Sequence, residues 1–276
     1  MDAPLHRPLH SPFALSAQDY GLPEAFAVRV VAATGSTNAD LLDQARAGQL
    51  ADGQTSQVDV LIAHAQSAGR GRQGRAWLAA PGTSLLMSVG CVRQASAADL
   101  AGITVALGAR AAQVLIGHGV QAQVKWPNDV LLEGAKLAGI LVETVTTHAG
   151  LAIVAGIGVN GMVPQAVRAA TGRPTAALLD VLPLTGGQAA QIGHDLAMAF
   201  AGLLTAPALP QTIRTDLASA FALLDACKDR AVQVQIDGKP HAQGIARGVD
   251  AQGALLIETP QGLRAFASGE VSVRWQ

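Results

Sequence analysis

Aromatic side chains are scarce. Phe, Trp and Tyr together make up 3% of the 276 residues. That excludes the interleaved stacking platforms of single-strand nucleic-acid binders. Half of the residues are hydrophobic, so a sizeable core is built from small aliphatic side chains and wholesale disorder is excluded. Cysteine is nearly absent as well: Cys91 and Cys227 stand far apart with no CxxC spacing, which leaves no disulfide framework and no zinc signature. The formal net charge is −1, without the basic excess of a general nucleic-acid binder. No apolar run approaches about 20 residues free of polar groups. The start, "MDAPLHRPLHSPF", has no apolar signal-peptide core, and a cytoplasmic protein is expected. His6 and His10 in that Pro-rich leader do not read as a metal site.

The most local scarcity is of acid. No Asp or Glu occurs from Val60 to Ala98, a stretch that holds Arg70, Arg72, Arg75 and Arg93. A near-neutral chain with one acid-free basic stretch suits a small anion better than a polymer. At its centre lies "AQSAGRGRQGRAW", residues 65–77. Gly69, Gly71 and Gly74 satisfy G-x-G-x-x-G, but no helix follows and the next acid is Asp99, beyond a further strand; a dinucleotide fold needs both. The P-loop reading fails too, because Arg75-Ala76 stands where Lys-Ser/Thr is required. Arginine forks onto carboxylate or phosphate, and glycine lets backbone amides approach the same anion. Three mutually repelling guanidiniums predict a loop that stays mobile until an anion orders it and then shields the ligand from water.

Around this loop the pattern predicts an α+β chain. Residues 1–25 read as a flexible tail. "GSTNADLLDQARAG" opens a helix with Thr37 and Asp40 at capping-box spacing, and Gly48 ends it. Strands follow over 58–64 and 83–90, then one long buried helix over 98–119. "QAQVKW", "VLLEGAKLAGILVETV" and "LAIVAGIGVN" supply further strands, with "PND" as a turn. Helices are expected near 187–204 and 210–225. From Lys228 onward, short alternating strands separated by Asp-Gly, Gln-Gly and Ser-Gly mark a small all-β module. The sum is a mixed, mostly antiparallel sheet flanked by helices, followed by that module.

Four stretches in order, "GSTN" (35–38), "GRGRQGR" (69–75), "KWPNDV" (125–130) and "KLAGILVE" (136–143), resemble the biotin protein ligases. The resemblance runs from about residue 30 to the C-terminus, where "GIARGVDAQGALLIE" and "GEVSVRW" are similar to that family's terminal barrel. It implies the class II synthetase-like biotin–lipoate ligase fold, with a tail (1–25), a catalytic domain (26–226) and an SH3-like β domain (227–276). It also implies a two-step reaction. Biotin carboxylate attacks the α-phosphate of ATP, giving biotinyl-5′-AMP and pyrophosphate. A lysine amine of the biotin carboxyl carrier protein of acetyl-CoA carboxylase then displaces AMP. Two anions must meet in the first step, and fixed cations answer their repulsion.

By the same resemblance, Lys136 contacts both the biotin carboxylate and the α-phosphate. Arg70, Gly71 and Arg72 close over biotin and the phosphates, with Arg72 catalytic beside Lys136, and Arg75 meets ATP phosphate. Trp77 covers adenine or packs the loop base. Ser36, Thr37, Asn38 and Gln66 hydrogen-bond the ureido ring, a role compatible with N-capping by Ser36 or Thr37. Asp129 stands near the incoming lysine, to orient it, deprotonate it or help hold Mg2+. Asn128 and Asn160 touch the adenylate. Gln73 departs from the arginine that some relatives carry there and lowers the loop's charge. Only about 25 residues precede the catalytic region, too few for the winged helix of repressor members, so no nucleic-acid partner is expected, nor a membrane. Family members act as monomers or homodimers. The competing readings are a lipoate or octanoate ligase of the same superfamily and a non-catalytic RNA-binding module.

Overall fold

The structure is a computed structural model describing residues 11–236, 239–267 and 271–275. Seven strands form the main sheet: β1 (Phe26–Val31), β2 (Val58–Ala63), β3 (Ser84–Arg93), β4 (Ala122–Lys125), β5 (Asp129–Leu132), β6 (Ala135–Thr147) and β7 (Gly150–Asn160). Their order is β1-β2-β3-β7-β6-β5-β4. β1 and β2 are parallel and every other neighbouring pair is antiparallel. The helices are α1 (Thr37–Arg46), α2 (Ile103–Gly117), α3 (Gln165–Thr171), α4 (Gly186–Leu204) and α5 (Leu209–Asp216), the last running into a π-turn at Leu217–Phe221. β1 and α3 were not foreseen from the sequence.

The central strands are mostly apolar on both faces because both faces are covered, with Asp59 and Ser88 among the buried polar exceptions. Val58, Val60 and Ile62, Leu85, Met87 and Val89, and Ile153, Ala155 and Ile157 belong to the large core with α2 and α4. The alternate residues Leu61, Val92, Ala152 and Val154 pack beneath Leu41, Leu42 and Ala45 of α1. The second face, under α1, is the one that carries the site.

Four expectations are corrected. The tail is not free over its second half: Phe13 is 1% exposed and Tyr20 2%, and Phe13 N–H donates to the Gly82 carbonyl at 3.2 Å. Burial of two of the chain's few large rings holds residues 11–25 against the body. The helix over 98–119 is divided: a 3-10 turn (Ala97–Leu100) is followed by α2, with Gly102 between them at φ +81°. A Cβ there would lie 2.7 Å from Leu217 Cδ1 and 3.2 Å from the Gln252 carbonyl oxygen, so glycine is required where the C-terminal module presses in. By length and composition alone Ala97–Gly117 could cross a membrane, contrary to the reading of the apolar runs; yet 56% of its most apolar window is buried in the fold. Finally, Ser36 rather than Thr37 caps α1, its hydroxyl accepting from Ala39 N–H at 3.5 Å. Asp40 accepts instead from Thr34 Oγ1 at 2.6 Å.

Beyond residue 226 the strands β8 (Ala231–Ile236), β9 (Lys239–Val249), β10 (Leu255–Thr259), β11 (Gly262–Phe266) and β12 (Val271–Trp275) form an antiparallel sheet ordered β11-β10-β9-β8-β12. The expected Asp-Gly turn at 237–238, the Ser-Gly at 268–269 and residues 1–10 lie outside the described residues. The module is tied to the main sheet where Trp126 Nε1 donates to the Gly253 carbonyl at 2.9 Å and Ala226 N–H to Val124 at 2.9 Å.

At this junction Asp225 is 8% exposed. Its Oδ1 accepts from Cys227 N–H at 2.8 Å, and its Oδ2 has no partner. Burial pushes its carboxyl up from 3.8 to about 6, against the pull of the Cys227 N–H. Between those two values the folded protein keeps a proton that the unfolded chain has lost. Stability therefore falls as pH rises through the window, by on the order of 2–3 kcal/mol. Asp225→Asn is expected to remove this dependence and to be more stable than the parent at pH 7.5 but not at pH 4. Urea unfolding at both pH values checks it; an unchanged pH dependence in the variant would refute it.

Candidate active site

The site begins with glycines in register. A row of Cα partners crosses the sheet through Ala63, Leu86, Gly158, Gly139 and Asp129. The next row runs through Leu61, Ser88, Gly156 and Leu141. With Gly139 and Gly158 side by side the sheet has a trough, and Trp77 lies in it. A Cβ on Gly158 would stand 2.5 Å from Trp77 Cε2, and one on Gly139 3.0 Å from Cζ3. Glycine is needed here for close approach, as often where a strand meets a ligand or a neighbouring group.

One end of the trough is polar. Gln66 Oε1 accepts from Thr37 N–H at 2.7 Å and from its hydroxyl at 3.1 Å. The Ser88 hydroxyl lies within bonding distance of Thr37 Oγ1 (2.7 Å) and Asn38 Oδ1 (2.6 Å). Asn38 Nδ2 donates to Glu143 Oε2 at 2.9 Å and to the Leu141 carbonyl at 3.2 Å. Ser36, Thr37 and Asn38 are each about 5% exposed or less. The four predicted ureido partners are therefore brought together by the N-terminus of α1 and the end of β2. A cavity of about 30 Å³ remains among Ser36, Asn38, Gln66, Gly156, Gly158 and Trp77, room for about one water. A bicyclic ligand needs the indole to move. The Trp77 Nε1 is buried without an acceptor.

The other end is cationic. A cavity of about 310 Å³ is lined by Arg70, Arg72, Arg75, Lys125, Lys136 and Arg173, with Asp129 its one acid, and with Asn128 and Trp77. A second cavity of about 540 Å³ shares Arg75, Trp77, Lys136 and Arg173 and adds Asn160, Val163, Val167 and Ala170. Lys136 thus stands where the two meet, its Nζ paired with Asp129 Oδ1 and 5.3 Å from the Trp77 ring centroid. Burial pulls its ammonium below the usual 10.5, opposed by Asp129 and reinforced by Arg173. Burial likewise lowers Arg72, against the pull of Asp129.

Strict alternation would send Lys136 into the core, on the same face as Ala138. A bulge prevents this: the β5–β6 register shifts between Val130 and Leu131, so that Leu131 pairs Lys136 while Val130 pairs Ala138. Leu137 and Ala138 are then both core residues, and Lys136 turns to the trough face, where a Gly139 Cβ would be 2.9 Å from its Nζ. Bulges beside active sites re-aim side chains in this way. A strap from α3 holds the backbone: Lys136 N–H donates to Pro174 at 3.0 Å, and Ala176 N–H donates to Lys136 at 2.9 Å. Asn160 Nδ2 donates to Lys136 and Ala176 carbonyls at 3.3 and 3.0 Å, and so fixes the lysine's backbone. Asn128 Nδ2 donates to the Ile140 carbonyl at 3.0 Å, locking the turn that carries Asp129.

The arginine loop is folded back on itself by its own backbone. Gly71 N–H donates to the Arg75 carbonyl at 2.7 Å and Trp77 N–H to Gly69 at 2.9 Å. Gln73 and Gly74 turn the chain at φ +56° and +67°. Arg75 Nη2 donates to Gln73 Oε1 at 2.8 Å, and Arg70 Nη2 pairs with Glu143 Oε2 at 3.2 Å. The acids missing from the sequence near the loop arrive from β5 and β6, as Asp129 and Glu143, and offset the repulsion. Ser88, Glu143 and Arg173 were not singled out; Glu143 alone carried a signal, closing the "KLAGILVE" stretch.

A polar-ended trough leads to an ammonium among guanidiniums, with a second cavity beyond it. That arrangement can hold an acid against a polyphosphate, and it defines an acid-activating ligase. The model of the "Biotin/lipoate A/B protein ligase family" matches residues 34–160, and that of the "Biotin protein ligase C terminal domain" matches residues 229–274. The biotin--[acetyl-CoA-carboxylase] ligase of Mycobacterium tuberculosis is 34% identical over 88% of this chain and 87% of its own length. The bifunctional ligase/repressor BirA of Escherichia coli is 33% identical over 95% and 83%. Among solved structures, the biotin protein ligase from Aquifex aeolicus in complex with biotin and ATP superposes with a TM-score of 0.73 over 90% of this chain and 99% of that one, at 20% identity, which shows a shared fold. The chain belongs to the biotin/lipoate A/B protein ligase family, as a biotin protein ligase.

Proposed function

We infer that this chain activates biotin with ATP as biotinyl-5′-AMP and transfers it to a lysine of a biotin carboxyl carrier protein. The observation that carries this reading is the position of Lys136, one partly desolvated ammonium at the mouth of both cavities. The ureido ring is read into the trough, with Ser36, Thr37, Asn38 and Gln66 as its partners once Trp77 swings aside. The carboxylate then lies against Lys136, with Arg70 and Arg72 closing over it and the Gly71 amide joining once it leaves the Arg75 carbonyl. The triphosphate meets Arg72 and Arg75, and the adenosine takes the cavity that Asn160 and Trp77 share. A fixed cation between the two reacting oxygens lowers their repulsion and stabilises the charge that develops on phosphorus.

In the second step the carrier lysine approaches Asp129, which orients its ammonium or accepts its proton. Among the described residues no group of three or more His, Cys, Asp or Glu could hold a metal ion; Mg2+ is read as arriving with ATP, as a counter-ion of the phosphates. The C-terminal sheet is taken as an SH3-like barrel spanning 227–276, after a catalytic domain over 26–226. The reading includes a cytoplasmic location, no nucleic-acid partner, and action as a monomer or homodimer.

Biotin-dependent ATP–pyrophosphate exchange, followed by mass increase of a carrier domain, tests the reading. Exchange is expected with biotin and not with lipoate or octanoate, because a site that hydrogen-bonds the ureido leaves buried polar groups unpaired with those acids. Exchange with lipoate alone would transfer the assignment to the sister enzymes.

A further inference from the structure

Glu143 joins two parts of the site that nothing else described connects through one atom. Its Oε2 accepts from Asn38 Nδ2 at 2.9 Å and pairs with Arg70 Nη2 at 3.2 Å. Asn38 belongs to the buried floor, held also by Leu141 and Ser88. Arg70 belongs to the loop that covers the trough and is half-exposed. The carboxylate sits on β6, on the same face as Gly139 and Leu141, and only a quarter of its side chain meets solvent. The Asn38 amide and the strand fix its position, so the guanidinium docks on an acceptor that is already held in place. This distinguishes it from an ion pair between two free side chains, which has to order both.

We propose that Glu143 is a positioning residue for biotin activation: it clasps Arg70 to the Asn38 floor and so holds the arginine loop over the ligand trough. This deepens the biotin-ligase reading and rests on it for its effect on biotin. The clasp itself is a statement about the chain without ligand. The acid-free loop cannot supply its own counter-charge, since no Asp or Glu lies between Val60 and Ala98. Asp129 is engaged with Lys136. Glu143 is therefore the carboxylate that fixes the loop's N-terminal arm. A ligand seated on Asn38 feels the loop's position through a single oxygen.

The experiment compares the full chain with Glu143→Gln, which keeps the size and an acceptor for Asn38 but removes the charge, and with Glu143→Ala. Trypsin cuts after arginine, so cleavage after Arg72 and Arg75 in the absence of ligand reports the loop directly. Cleavage is expected to rise about three- to fivefold in Glu143→Gln and further in Glu143→Ala, with thermal melting of the Gln variant unchanged. In pyrophosphate exchange the KM for biotin is expected to rise by a similar factor, with kcat altered less than about twofold. In an Arg70→Ala background the Gln substitution is expected to have no further effect on cleavage, because the two act as one unit. Cleavage within about twofold of the parent, or equal acceleration with and without Arg70, would overturn the clasp. If the parent shows clasp-dependent protection but no biotin-dependent exchange, the clasp stands and the functional reading falls.

Discussion

Lys136→Ala is expected to lose biotin-dependent pyrophosphate exchange by about a thousandfold. A unit charge about 4 Å from a developing charge, at the effective dielectric of a partly buried site, is worth roughly 4 kcal/mol, and this is about three decades in rate. The variant retains the trough, its floor and the arginines, so biotin binding measured by calorimetry is expected to weaken far less than turnover. The proton linkage gives a second signature. Burial lowers the Lys136 ammonium from 10.5, and its charge is what the first step uses. As pH rises through the lowered value the ammonium is lost, so kcat/KM for biotin should fall on the alkaline side earlier than an ordinary lysine would dictate. Lys136→Arg cannot titrate there; whatever activity it keeps should be flat across that range. Near-parent exchange in Lys136→Ala would remove the lysine from the chemistry.

Gly156→Ala is expected to raise the KM for biotin about a hundredfold while costing on the order of 2 kcal/mol of stability. The strand geometry itself admits alanine, since Gly156 has no left-handed φ. The conflict is with the neighbour: a Cβ would collide with the Asn38 amide, which is 4% exposed and hydrogen-bonded to Ser88, Leu141 and Glu143. To escape, Asn38 must leave acceptors and donors behind in a buried site, and the predicted ureido partner goes with it. The double variant Gly156→Ala/Asn38→Ala separates the two consequences. It should recover part of the stability, because nothing is left to collide with, and none of the biotin affinity. Strictly additive destabilisation would show that the collision is relieved elsewhere.

Much of the site was legible because its parts are short and chemically loud. The glycine–arginine loop, the Lys136 strand, the "PND" turn and the polar start of α1 each stand out, and the structure brings all of them around one trough. Strands over 58–64 and 83–90 and the helix near 187–204 were legible from apolar runs and capping residues. What stayed hidden depended on contacts far apart in the chain. Phe13 and Tyr20 sit in a segment with no pattern and are held only by what they pack against. Gly102 breaks a helix that its own sequence favours, because Leu217 and Gln252 from distant segments press on it. Ser88 is one polar residue in an apolar strand, and its meaning depends on Thr37 and Asn38 arriving above it.

The chemistry is written in residue types: which groups carry positive charge, where glycine removes bulk, and where hydroxyls and amides begin a helix. Those are properties of residue types at short spacing, and no fold is needed to read them. Which face those groups occupy, and what balances them, follows from folding. The bulge beside Leu137 turns Lys136 out of the core, and Asp129 and Glu143 bring to the arginine loop the negative charge that its own stretch lacks. Strand register and ion pairing are set by segments tens of residues away, so local pattern carries no record of either.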